Sequence, residues 1–205
     1  MPTTTQPPER HAAPNRGLLV VISGPSGVGK TTITKRVQEA IPDAVFAVSA
    51  TTRPKAPGER DGVDYHFLRE NEFEQLVQEG AFLEHARYAG HRYGTLKREV
   101  TPRLEQGRVV LLDIDVQGAQ QIKQQAPQAL AIFILPPDEQ TLLERLRRRG
   151  RDPEAVIQRR FREAQREIAF ARSAGVYDVM IVNDDLDQAV ANAVQAIQAR
   201  RTSAA

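Results

Sequence analysis

The amino-acid sequence predicts an α/β fold: a parallel sheet core with helices on both faces, interrupted by an inserted mixed α+β subdomain. Three observations predict it. Short, continuous apolar runs occupy residues 18–22, 109–112, 130–135 and 179–182. A helical pattern follows each run. Residues 49–95 break this alternation with clustered turn signals. Strands buried on both faces read as unbroken apolar runs, and strands alternating with helices imply parallel crossovers.

Taken in order, residues 1–16 hold Pro2, Pro7, Pro8 and Pro14 and read as a disordered tail. Order begins at Leu18, so the core comprises residues 17–48 and 96–205. The first strand, LLVVI, runs into a glycine-rich segment and then a helix over 31–40. In the insert, Pro57-Gly58 and Asp61-Gly62 mark turns, one small helix lies near 72–78, and 86–93 forms a hairpin turning at Ala89-Gly90. The second and third strands lead into helices over 116–125 and 138–149. Residues 145–172 carry ten Arg against Asp152, Glu154, Glu163 and Glu167, which suits an amphipathic helix with i, i+4 ion pairs. Leu186, Val190, Val194 and Ile197 place one apolar stripe on a last helix.

Composition narrows the function. The 28 basic and 26 acidic residues leave a net charge of only +2, so any polyanion site must be local. With no cysteine, disulfides, thiol nucleophiles and cysteine metal sites are excluded, and a reducing cytoplasm fits. The apolar run at 129–135 is too short to span a membrane, and the first ten residues lack a signal-peptide core. His11, His66, His85 and His91 have no metal-ligand spacing. At 5% aromatic content the chain lacks the stacking platform of single-strand binders, so no nucleic-acid partner is expected. Neither is a membrane partner, and the chain reads as a monomer or weak homo-oligomer.

Gly24-Pro25-Ser26-Gly27-Val28-Gly29-Lys30-Thr31 fits G-x-x-x-x-G-K-[ST] between a strand and a helix. The glycines let successive N–H groups converge on a polyphosphate, and the helix N-terminus adds positive potential. Lys30 supplies a point charge for the terminal phosphates, and the Thr31 hydroxyl suits Mg²⁺. The second strand ends in acid at Asp113-Ile114-Asp115. Ligands bind at the carboxyl ends of parallel strands, so these carboxylates suit a Mg²⁺ site or a substrate, or else one of them caps a turn.

The acceptor side is read from Ser49-Ala50-Thr51-Thr52-Arg53, Asp64-Tyr65-His66-Phe67, Glu84 and Tyr93-Gly94-Thr95. One guanidinium and two phenols suit a phosphomonoester. A buried carboxylate at Glu84 would accept from the adjacent N1–H and N2 amino donors of guanine, a pair that adenine lacks. Tyr65 and Tyr93 read equally as core aromatics, and Glu84 as an exposed strand residue.

The segments 24–32, 49–67, 112–118 (LDIDVQG) and 181–186 (IVNDDL) together resemble guanylate kinase, in order and at near-constant spacing over residues 18–186. The resemblance implies a P-loop nucleoside monophosphate kinase with a GMP-binding insert and a helical lid at about 143–163. It implies transfer from ATP to GMP with Mg²⁺, with dGMP use open. Gly24, Pro25, Ser26, Gly27, Val28, Gly29, Lys30, Thr31 and Thr32 fall on its ATP loop, with Asn183 beside the ATP base. Thr31 and Asp113 fall at the metal, and Ser49, Glu84, Thr95 and Asp115 at guanine. Arg53, Tyr65 and Tyr93 fall at the GMP phosphate, and Arg145, Arg149 and Arg160 on lid and adjoining arginines. One position departs: the family usually carries a second arginine where this chain has Ala56, and Lys55 beside it is expected to compensate in part. Two other readings are weighed, a kinase for another phosphorylated acceptor and a phosphopeptide-binding module. Glu84 with Asp115 argues against the first, and the intact Gly29-Lys30-Thr31 against the second.

Overall fold

The computed structural model describes residues 17–88, 90–148, 150 and 152–204. The core contains β1 (Leu18–Ser23), α1 (Lys30–Ala40) and β2 (Ala44–Phe46), then resumes with α3 (Lys97–Glu105), β7 (Val109–Asp113) and α4 (Val116–Gln125). It continues through β8 (Leu130–Leu135), α5 (Glu139–Arg148), α6 (Glu154–Ser173), β9 (Val179–Val182) and α7 (Leu186–Ala204). Between β2 and α3 lie β3 (Ala50–Thr51), β4 (His66–Phe67), α2 (Glu70–Gln78), β5 (Phe82–Tyr88) and β6 (His91–Leu96).

The main sheet is parallel throughout, in the order β2-β7-β1-β8-β9. The hydrophobic runs explain it. Every residue of β1 and β8 is buried, because helices cover both faces. On one face Val20, Ile22, Leu111 and Ile132 pack with Ile33 and Val37 of α1 and with Ala193 and Ile197 of α7. On the other, Val21, Val110 and Leu112 pack with Val100 of α3 and Ala119 and Ile122 of α4. Truncating one of these fully buried aliphatic side chains to alanine costs roughly 2–5 kcal/mol. Among the described residues, no helix is long and apolar enough to cross a membrane.

The smaller sheet has the order β4-β3-β6-β5 and mixes parallel and antiparallel pairs. Its own core is Ala50, Phe73, Phe82 and Leu96, with Phe73 and Phe82 stacked at 4.4 Å. Of the expected hairpin turn, Ala89 lies outside the described residues and Gly90 has a positive φ.

Two helices differ from the sequence expectation. Residues 97–105 form α3 despite Pro102, because Val100 and Leu104, four residues apart, face the core. The basic stretch is helical, as its pattern predicts, but divided between the end of α5 and the twenty-residue α6. α6 packs on α5 through Leu142, Leu146, Ile157 and Ala164, and its C-terminal half reaches Phe133 and Leu135 through Ile168 and Ala171.

Candidate active site

The site is assembled at the carboxyl ends of the central strands, where the order places β1 between β7 and β8. The chain leaves β1 at Ser23 and re-enters helix at Lys30. Gly29 makes that entry possible: its φ of +94° is a left-handed conformation that side chains resist. A Cβ there would also stand 2.7 Å from Asn183 Nδ2. The Gly29 carbonyl accepts from the N–H groups of Thr32 and Ile33, closing the first turn of α1.

Parallel pairing sets Ile22 beside Asp113, which brings the acid of β7 to the phosphate loop. Lys30 Nζ lies 3.0 Å from Asp113 Oδ1, and the Thr31 hydroxyl donates to Asp113 Oδ2 at 3.1 Å. Burial by itself lowers the pKa of Lys30. The Asp113 charge and hydrogen bond more than reverse this, so the ammonium titrates above its ordinary range. Lys30 is therefore a fixed cation.

Beside the loop is a cleft of about 330 Å³, lined in part by Gly27, Thr32, Arg145, Arg148, Asn183 and Leu186. Asn183 is buried, and its Nδ2 donates to the Val28 carbonyl at 2.7 Å. Its own carbonyl accepts from Arg145 at 3.0 Å. Its side-chain donor thus braces the phosphate loop. Arg148, which the sequence reading did not single out, also lines the cleft. Arg160 pairs with Asp152 at 3.0 Å. Arg149 lies outside the described residues.

The smaller sheet groups the acceptor-side residues. Thr51 of β3 pairs with Tyr93 of β6, and the Tyr65 and Tyr93 rings meet edge to face at 6.0 Å. The Arg53 guanidinium lies 5.3 Å from the Tyr65 ring centroid and 5.6 Å from that of Phe67. Its fork is closed on Glu59, at 2.6 Å to Oε1 and 3.0 Å to Oε2. Glu59 also accepts from the Ala56 N–H at 2.7 Å. Arg53 and this amide hold the partly buried Glu59 carboxyl below the usual range. The sequence reading missed this pair, although Glu59 follows Arg53 by six residues in a turn. Lys55 is exposed.

Glu84 on β5 is buried, and the Thr95 hydroxyl of β6 donates to its Oε1 at 2.6 Å. Ser49, Thr51 and Thr95 are buried as well. Burial pushes the Glu84 carboxyl up to about 7. The Thr95 hydroxyl opposes that rise and the Asp115 charge adds to it. Asp115 caps α4, its Oδ1 accepting from the N–H groups of Gln117 and Gly118 at 2.9 Å each. The turn-cap reading therefore accounts for one of its oxygens.

A second carboxyl with the same elevation was not anticipated. Burial pushes Glu167 of α6 up to about 7, against the pull of Lys30 and with help from Glu163 and Asp115. Its signal in the sequence is faint: it adjoins the Ala164, Ile168, Ala171 stripe that faces inward.

The elevated Glu84 carries a pH prediction. If Glu84 is the guanine-facing group that the resemblance implies, only its ionised carboxyl accepts two guanine hydrogens, and a proton must leave before guanine binds. The KM for GMP should rise about tenfold per unit as pH falls below 7, while that for ATP changes less. The phosphate of GMP itself titrates near 6. That contribution is shared by Glu84→Gln, so steady-state profiles of the two proteins isolate the carboxyl. Superimposable profiles would show that Glu84 does not titrate against the substrate.

Comparison with known proteins places the chain in a family. The guanylate kinase family model matches residues 16–200. Guanylate kinase of Nitrosococcus oceani is 46% identical over 185 residues, covering 90% of each chain. That of Anaeromyxobacter dehalogenans is 51% identical over 182 residues, 88% of this chain and 79% of the relative. A crystal structure of guanylate kinase from Anaplasma phagocytophilum superposes with a TM-score of 0.75 at 30% identity, over 91% of this chain and 87% of that one.

Proposed function

The chain belongs to the guanylate kinase family and transfers the γ-phosphoryl group of ATP to GMP; from that premise we propose how its own residues divide the work. The observation that carries the acceptor reading is Glu84, a buried carboxyl held by a hydroxyl beside the carboxylate-capped start of α4.

ATP lies on the curl of residues 24–32, its phosphates receiving the converging N–H groups and Lys30. The cleft at Arg145, Arg148 and Asn183 takes the rest of the nucleotide. Residues 49–95 form the GMP-binding insert. Ser49, Glu84, Thr95 and Asp115 face the base, and Arg53, Tyr65 and Tyr93 hold the phosphate. Because Glu59 occupies the Arg53 fork, phosphate arrival exchanges one anion for another at that guanidinium. Lys55 contributes charge nearby where the family carries arginine.

Thr31 and Asp113 present the oxygen donors that Mg²⁺ prefers. When bound there, Mg²⁺ neutralises polyphosphate charge. The acceptor oxygen of GMP is already anionic, so the protein needs no general base. Its contribution is positioning and charge: Lys30 on the migrating group, and Arg145, Arg149 and Arg160 supplied by the lid at 143–163. Closure of lid and insert excludes water, which would otherwise take the phosphoryl group. The protein acts on small molecules in the cytoplasm as a monomer or weak oligomer, and it accepts dGMP, since no residue of the site is assigned to the 2′-hydroxyl.

A coupled assay of ADP release tests the acceptor reading with GMP, dGMP, AMP, CMP, UMP and a ribose bisphosphate. Turnover is expected with GMP and dGMP. Comparable turnover with AMP or with the base-free acceptor would sink the role given to Glu84.

A further inference from the structure

Gly118 and Gln121 lie one turn apart on α4, on the side that meets β5. Gly118 sits in ordinary helix, where glycine is about 1 kcal/mol less favourable than alanine. The reason for it is space. A Cβ at Gly118 would stand 2.6 Å from Glu84 Oε2 and 3.1 Å from Glu84 Cδ.

Gln121 acts on the neighbouring residue. The His85 N–H donates to Gln121 Oε1 at 3.2 Å, and Gln121 Nε2 donates to the His85 carbonyl at 2.9 Å. This is the two-point pairing a further strand would make. β5 is the outer strand of its sheet, so Gln121 satisfies a main-chain edge that would otherwise be open. Asp115 caps the same helix through the Gly118 N–H.

We propose that Gly118 and Gln121 are positioning residues for guanine selection: α4 seats Glu84 of the smaller sheet at a fixed distance from Asp115 of the core. The two base-facing carboxylates are then both referred to α4, Asp115 as its cap and Glu84 through the β5 segment that α4 packs on. The inference rests on the reading of Glu84 as the guanine-reading group, and the experiment separates the two.

Gly118→Ala and Gln121→Met are assayed with GMP and AMP as acceptors, alone and in a Glu84→Ala background. Each single change should raise the KM for GMP about tenfold, the equivalent of one net hydrogen bond, and lower the preference for GMP over AMP by a similar factor. The KM for ATP should stay within about twofold, and in the Glu84→Ala background neither change should alter acceptor kinetics by more than about twofold. Unaltered selectivity in both single variants, with Glu84→Ala impaired, overturns this inference alone. Equal effects with and without Glu84 also overturn it, because the two residues would then be supporting the fold in general. Intact selectivity in Glu84→Ala overturns the underlying reading instead. Thermal melting and the KM for ATP identify a variant that has not folded; if Gly118→Ala is lost in this way, Gln121→Met decides the matter.

Discussion

Lys30→Ala should lower kcat by about 10³-fold or more, with the protein still folded. The reason is the timing of charge. Lys30 is held ionised beside Asp113, at the start of the helix proposed above to receive the phosphates, and in that role it would need no reorientation from solvent when charge shifts to the migrating group. Main-chain amides of the loop remain in the variant, so ATP still binds. The Lys30–Asp113 pair is partly accessible to water, and losing it should cost about 1 kcal/mol or less of stability. Coupled kinetics and a melting curve check both halves. A kcat within tenfold of the parent would remove Lys30 from the chemistry.

Glu84→Ala should raise the KM for GMP by roughly 10²-fold or more. Two hydrogen bonds to a charged acceptor contribute about 1.5–3 kcal/mol each, and both are lost. Discrimination should fall further than GMP affinity, because the ionised carboxyl also repels the ring acceptor that adenine presents at the same place. Stability should change little. Burial raises the pKa of this carboxyl to about 7, so its ionised form is a cost to the folded state that the variant no longer carries. Acceptor kinetics with GMP and AMP decide the matter, and an unchanged ratio of kcat/KM values would end the guanine role of Glu84.

Much of the fold was legible because burial on both faces leaves a plain mark. Residues 18–22 and 130–135 are apolar without a break, and both are buried strands of the parallel sheet. Residues 179–182 are also a strand, but it lies at the sheet edge with Met180 and Val182 exposed, so its apolar run does not report burial on both faces. α3 was hidden: Pro102 and a polar composition mask its pair of buried contacts, Val100 and Leu104. β3 and β4, at two residues each, are too short to show a period. The phosphate loop was legible because its chemistry is local, eight consecutive residues doing one task. The pairing of Glu59 with Arg53, the grip of Gln121 on His85 and the approach of Glu167 to Lys30 were not. Gln121 and His85 are brought together by the packing of a core helix on the smaller sheet, and their spacing along the chain carries no sign of it.

The hydrogen bond from Asn183 to the Val28 carbonyl spans 155 positions of sequence. The glycine-rich loop, written near the start of the chain, therefore gains this contact only when the residue that follows β9 takes its place at the edge of the sheet. During synthesis, a nascent polypeptide halted before residue 183 would carry every glycine of the motif and lack this hydrogen bond. This one brace of the loop is thus available only once nearly the whole chain has been made.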